Sequence, residues 1–326
     1  MTTKSDGKTF RIIAPLSNPD EARTLPGLGA DEFYFSIQPP GMNSAFSRRE
    51  LPRANFHSFE DIELAAQIAA KRGVRLFAAV NKTYYTNDEL GPAKKILDRC
   101  LDAGAAGLIV ADAGLLRLLR KGNYGARAEI ALSTVAAPTN GDAVEFFSRL
   151  GVSRVILPRT VSPKQAARFV RRFPKLRFEA LIFNWYCANV DGVCRYQHDI
   201  SDPAAPPDLV RNGCCFDYEV TCPNGAPAPD SVRRGLTNAQ RRSETACGVC
   251  SIYDFMQAGV RDFKVVGRLL GYKAKANSVK FLDGCRKIYQ ESDSREGYIR
   301  LSQRYYEQFF GAACSGVCYH RIRMTD

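Results

Sequence analysis

No run of eighteen apolar residues occurs in the sequence, so no stretch of it is suited to cross a membrane as a helix. The opening MTTKSDGKTF lacks the apolar core of a secretory signal, and the chain is expected to be cytoplasmic. Histidine is scarce, with 3 residues, which argues against a histidine-rich metal site. A glycine-rich phosphate fingerprint is missing, and so is any recognisable interleaving of basic and aromatic residues for RNA. Cysteine, by contrast, is abundant: 11 residues in a chain expected in a reducing compartment. A disulfide scaffold is disfavoured there, and clustered cysteines point to metal binding or catalysis. The net charge of +12 permits contact with RNA or with an anionic small molecule.

With 326 residues, 45% of them hydrophobic, the chain can bury a large core. Short apolar β-type runs alternate with helical patterns. The runs are 10–15, 32–37, 75–81, 107–112, 129–134, 154–159 and 177–184, with an eighth at 262–268. Helical patterns fall at 18–25, 58–73, 88–103, 115–122, 142–151, 164–173 and 276–291. Ser58 is a candidate N-cap and Gly73 a stop. The strands are nearly continuous apolar runs, as expected when both faces are buried. This rhythm predicts a TIM-type (β/α)8 barrel with a long Cys-rich insertion between strands seven and eight; a doubly wound sheet is the alternative. The expected parts are 1–184 for the first seven units, 185–250 for the insertion, 251–295 for the closing unit and 296–326 for a tail.

Such barrels place their chemistry at the C-terminal strand ends. The residues there are polar: Asn81, Asp112, Ser133, Thr134, Arg159, Asn184, Gly267 and Arg268. Cys187 and Cys194 follow strand seven directly and are expected over the same mouth. Cys214, Cys215 and Cys222 lie further along the insertion, and Cys247-Gly-Val-Cys250 ends it. The loose Cys-x6-Cys spacing suits an iron–sulfur cluster better than structural zinc, and unligated redox thiols come third. Cys314 and Cys318 form a further pair that would clamp the tail or hold a second metal. Cys100 and Cys285, alone in helical patterns, read as small buried hydrophobes.

Several segments resemble a known family. They are GADEFYFS (29–36), VNKTYYTNDEL (80–90), IVADAGLLRLLR (109–120), LSTVAAPTN (132–140), LGVSRVILPRTVS (150–162), FEALIFNWYCANVDGVC (178–194) and AGVRDFKVVGR (258–268). In order and spacing they resemble the collagenase-like proteins, family thirty-two of the peptidases of unknown catalytic type. The resemblance implies a [4Fe–4S] cluster on Cys187, Cys194, Cys215 and Cys247, with Cys214 and Cys250 as alternates. It also implies oxygen-independent hydroxylation of a small molecule, a modified peptide or RNA, with prephenate as oxygen donor and co-substrate. Glu179, Asn184 and Arg159 become the candidate catalytic residues. Asn81, Asp112, Ser133, Thr134, Lys264 and Arg268 become the candidate substrate-binding residues. Arg159, Arg268 and Lys264 would clamp a carboxylate donor, since guanidinium pairs with carboxylate in bidentate fashion. In structural roles instead, these cations would pair with Asp112 or Glu179. Two other functions stay open: a peptidase, and a non-catalytic cluster carrier in a heterodimer with a sister subunit. The sequence departs from the family pattern at Asn184-Trp185, Val135 and Val266, where histidine-glycine, glutamine and glutamate are usual. Those departures fall at the expected cavity and imply a different substrate.

Overall fold

Strand and helix alternate along the chain as the apolar rhythm requires. The computed structural model describes residues 9–38, 54–184, 191–193, 221–222, 224–227, 246–314 and 318–320. Eight strands run β1 (Arg11–Pro15), β2 (Glu32–Phe35), β3 (Arg75–Val80), β4 (Gly107–Val110), β5 (Glu129–Leu132), β6 (Arg154–Leu157), β7 (Arg177–Phe183) and β8 (Asp262–Val265). Each pairs in parallel with the next, and β8 returns to β1 with Asp262 beside Arg11, closing the barrel. The expected TIM-type (β/α)8 architecture is the observed one.

The helices are α1 (Pro19–Thr24), α2 (Phe59–Ala70), α3 (Asn87–Asp102), α4 (Ala113–Lys121), α5 (Gly141–Arg149), α6 (Pro163–Arg172), α7 (Ile252–Gln257), α8 (Tyr272–Glu291) and α9 (Arg295–Phe310). Short polar side chains start most of them. Ser58 accepts from the Asp61 amide at 3.1 Å and Asn18 from the Glu21 amide at 3.0 Å, each satisfying an amide that the helix leaves without a partner. Several strands end earlier than the apolar runs suggest. β4 stops at Val110 and β5 at Leu132, because Asp112 and Ser133 cap the turns that follow. α9 lies where a tail was expected. Ser294 caps it, and it buries Tyr298, Ile299 and Ser302 against the closing unit. Among the described residues no helix is long and apolar enough to cross a membrane.

The core has two parts. The larger lies between strands and helices and includes Cys100 and Cys285, both fully buried. The smaller fills the barrel: Ile13, Tyr34, Phe77, Ala79, Ile109, Ala131, Ile156 and Leu181, with Ala246 and Tyr319 set on them. Burying each large side chain of this kind contributes about 1.5–3 kcal/mol. Gly107 makes room for Phe77, since a Cβ there would stand 2.1 Å from the Phe77 ring.

Candidate functional site

Seven of the eight strands begin with a charged residue: Arg11, Glu32, Arg75, Glu129, Arg154, Arg177 and Asp262. They meet at the N-terminal end of the barrel. Arg154 is buried and donates to Glu32 (Oε2, 2.9 Å), Glu129 (2.7 Å) and Glu179 (3.0 Å). Arg177 bridges Glu129 and Asp262. Arg11 holds Asp262 at 2.6 Å, and Arg75 holds Glu32 at 2.8 Å. Burial alone would raise the Asp262 carboxyl, but Arg177 and Arg11 outweigh it and keep it below its ordinary value. Glu129 follows the same pattern, with Arg154, Arg177 and Arg75 overcoming burial.

Glu179 and Lys264 belong to this floor. Glu179 is fully buried, and its second oxygen accepts from Lys264 at 2.9 Å. Each is the third residue of its strand, one inward step above the ring of strand starts. Of the structural pairings expected for Glu179, the one with Lys264 is observed and the one with Arg159 is not: Glu179 pairs with Arg154 and Lys264, and Arg159 stands at the other end of its strand, beyond the last residue of β6. Burial lowers the Lys264 pKa, with Glu179 opposing that effect. In this fold the N-terminal face serves stability, whereas the opposite face carries the chemistry.

At the C-terminal mouth three candidates meet. Asn81 follows β3 and donates through Nδ2 to Ser133 Oγ at 3.2 Å. The other Asn81 atom, Oδ1, is buried without a hydrogen-bond partner among the described residues, and so is Thr134 Oγ1 next door. Leaving a buried polar atom unsatisfied costs roughly 1–3 kcal/mol. A buried acceptor and hydroxyl at the mouth of a barrel are suited to a ligand edge that completes them.

Arg159 follows β6 and pairs with Asp191. Its Nη1 reaches Oδ1 at 2.5 Å and its backbone N–H reaches Oδ2 at 2.9 Å. Its guanidinium also lies 5.2 Å from the centre of the Tyr319 ring. Arg159 thus pairs with neither Asp112 nor Glu179, the two carboxylates expected for it in a structural role. Asp191 lies between Cys187 and Cys194 in sequence and is itself held at the mouth. Gly192 follows in the left-handed region (φ 83°), where a Cβ would come 2.2 Å from the Val135 carbonyl oxygen. Gly192→Ala should therefore lift residues 191–193 from the turn that follows β5. Limited proteolysis near 185–200 should accelerate while the melting of the barrel stays unchanged.

Asn184 leaves β7 in the left-handed conformation, which asparagine tolerates (φ 63°). Its side chain donates to Ser278 at 2.8 Å and its backbone N–H to the Ala246 carbonyl at 3.1 Å. The two ends of the insertion are thereby joined, and Cys247 pairs antiparallel with Phe183. Arg268 lies after β8, buried, with Asn55 accepting from it at 3.3 Å. Asp112 accepts the Leu115 amide at 2.6 Å as the cap of α4. The mouth therefore gathers Asn81, Ser133 and Thr134 into one cluster and sets Arg159 with Asp191. Arg268 is held through Asn55, Asp112 is engaged in a helix cap, and Glu179 and Lys264 lie at the floor.

Asp191 and Tyr319 were not singled out by sequence reading. The signal for Asp191 was its place between two cysteines; for Tyr319 it was its place beside Cys318. Cys187, Cys194, Cys214 and Cys215 lie outside the described residues. Cys247 is a free thiol whose sulfur accepts the Val249 amide at 3.4 Å. Burial pushes its pKa up, so its thiolate calls for a cationic partner. That donor chemistry, a soft sulfur with an amide aimed at it, fits an iron–sulfur ligand.

The sequence profile of Peptidase family U32 matches residues 17–318. The chain is 26% identical over 266 residues to a "tRNA hydroxylation protein P1" of Bacillus subtilis, covering 80% of this chain and 59% of that one. It is 24% identical over 259 residues to a 23S rRNA 5-hydroxycytidine synthase of Escherichia coli, covering 79% and 36%. It is also 24% identical over 272 residues to a protein named collagenase from Porphyromonas gingivalis, covering 80% and 62%. The chain thus spans between about a third and two thirds of the length of these relatives.

Proposed function

Because the chain belongs to Peptidase family U32, and because its barrel mouth holds two buried polar atoms without a partner among the described residues, we propose that it is a hydroxylase acting on a nucleobase of RNA. The names of the tRNA and rRNA relatives support that substrate class, and the net charge of +12 suits a polyanion. In this reading a C–H bond of the base becomes C–OH without O2. The oxygen atom and the oxidising equivalents come from an organic donor, prephenate. Arg159, set by Asp191, holds a carboxylate of the donor, and Asn184 shapes the exit of β7 beside it. Asn81 and Thr134 take the polar edge of the base, with Ser133 fixing the Asn81 amide. Cys187, Cys194, Cys215 and Cys247 hold a [4Fe–4S] cluster, with Cys214 and Cys250 as alternates. When bound, the cluster supplies a site of electron exchange whose potential is tuned by burial and by hydrogen bonds to sulfur.

The observation that carries the reading is the unpartnered pair Asn81 Oδ1 and Thr134 Oγ1. The test begins with anaerobic purification and quantification of iron and sulfide. Changing Cys187 and Cys194 to alanine should abolish the visible absorption. RNA from a strain lacking this protein, incubated with the holoprotein and prephenate, should gain one oxygen on a base by mass spectrometry. Asn81→Ala and Thr134→Val should each weaken that transfer, and a polar edge worth about 1–3 kcal/mol predicts a loss of roughly 5- to 150-fold in kcat/KM. Peptide cleavage by iron-free protein, with RNA left unchanged, would instead support the reading that the collagenase relative suggests.

A further inference from the structure

The turn Asn81-Lys82-Thr83-Tyr84-Tyr85-Thr86 carries the chain from β3 into α3 at the mouth. Tyr84 is 67% exposed, the highest value for a large apolar or aromatic side chain among the described residues. A single exposed ring is ordinary on a protein surface. What sets this one apart is how it is held. Lys82 Nζ lies 4.9 Å from the centre of the Tyr84 ring and 5.3 Å from that of Tyr85. Tyr85 in turn packs on the larger core. One carboxylate closes the turn: Glu89 Oε1 accepts from Lys82 at 2.7 Å, and Oε2 accepts from the Thr86 N–H at 2.8 Å. Lys82 is thus engaged inside the turn, and the Tyr84 ring is set before anything meets it. A ring already ordered loses little conformational entropy when a partner stacks on it.

The neighbourhood decides the kind of partner. Asn81 heads the same turn, and its buried Oδ1 is the atom that the functional reading gives to the edge of a base. A base that reaches a buried acceptor has left its own stack and its own pair. The next nucleotide in the strand then lacks a stacking partner, and an aromatic ring supplies one. Every base has a π-face, so such a platform accepts any sequence. A duplex offers the ring much less, because its bases are already stacked and it presents chiefly sugar and phosphate. The net charge of +12 favours the approach of either form, so charge alone does not select between them.

We propose that Tyr84 is a stacking platform for the nucleotide next to the base that is hydroxylated, and that the substrate is an unpaired stretch of RNA. This rests on the reading of the mouth as a nucleobase site. The turn that holds the target base at its first residue holds the neighbouring base three residues later.

The test uses the holoprotein purified without oxygen. Its binding to a fluorescent single-stranded RNA oligonucleotide of mixed sequence, and to the same strand in a duplex, is followed by anisotropy over a range of salt. The wild type should prefer the single strand. Tyr84→Ala should weaken single-strand binding by about 5- to 150-fold, with iron content and circular dichroism unchanged. Tyr84→Phe keeps the ring and should bind as the wild type does. The slope of log K against log salt should be the same in Tyr84→Ala, because a lost stack releases no counterion. Phe146→Ala, which removes another exposed ring from the flank helix α5, should leave binding unchanged.

Equal affinity of the wild type for duplex and single strand would overturn the proposal. So would unchanged RNA binding in Tyr84→Ala, an equal loss in Phe146→Ala, or a loss confined to a collagen-derived peptide. If oxygen transfer to RNA proceeds in any of those cases, the functional reading stands and this inference falls. If Tyr84→Ala loses the single strand while the wild type adds no oxygen to it, the platform stands and the hydroxylase reading falls. A wild type that binds neither RNA overturns both.

Discussion

Arg154→Ala should lower the unfolding free energy by about 3–5 kcal/mol, read as a shift of the urea midpoint at unchanged slope. Among the described residues the guanidinium is the one group that touches Glu32, Glu129 and Glu179 together. Removing it leaves Glu32 and Glu179 buried with a single cation each, Arg75 and Lys264. Cutting out one partner of a buried ionic group costs far more than the group contributes net, because the charges that remain have lost their compensation. Arg154→Lys should recover only part of the loss, since one ammonium cannot reproduce the planar fork. The floor also sets the response to acid. Asp262 and Glu129 titrate below their ordinary values in the fold, so their contribution is complete above the unfolded carboxylate range. It is lost as the pH falls through the folded values. Stability should therefore drop below about pH 4, and the drop should be shallower in Arg154→Ala, where Glu129 loses a cation.

Arg159→Ala should reduce turnover by about 10²–10³-fold while iron content and visible spectrum stay as in the wild type. The residue faces the mouth, far from the floor, and Asp191 holds it twice, one oxygen accepting from Nη1 of the fork and the other from the backbone N–H. Arg159→Lys keeps the charge and loses the bidentate geometry, so its activity should fall between the two. Loss of iron or of the cooperative unfolding transition in Arg159→Ala would mark the residue as an anchor for the insertion instead.

The barrel was legible because each strand is a short apolar run and most helices begin at a polar cap. Those patterns are local, and Ser58 and Asn18 act as their positions suggested. The site was legible only as a set of strand ends. Sequence shows that Arg154 and Arg159 both sit near β6, but not which end of a barrel each will face; that depends on where the strand begins and stops. Strand parity explains why Glu179 and Lys264 point inward, and their distance from the strand start explains why they join the floor. Asp191 and Tyr319 reach the mouth by long-range returns of the chain, which no local pattern encodes.

The insertion leaves the barrel at Asn184 and returns at Ala246, and the two residues are hydrogen-bonded to each other. The strands below therefore sense a closed gate rather than the length of what hangs from it. Closing a flexible segment twice as long costs only about 0.6 kcal/mol more. A change in the number of residues between Asn184 and Ala246 should therefore have little consequence for folding. Integrity is held at two residues, and the length of chain between them is free to vary.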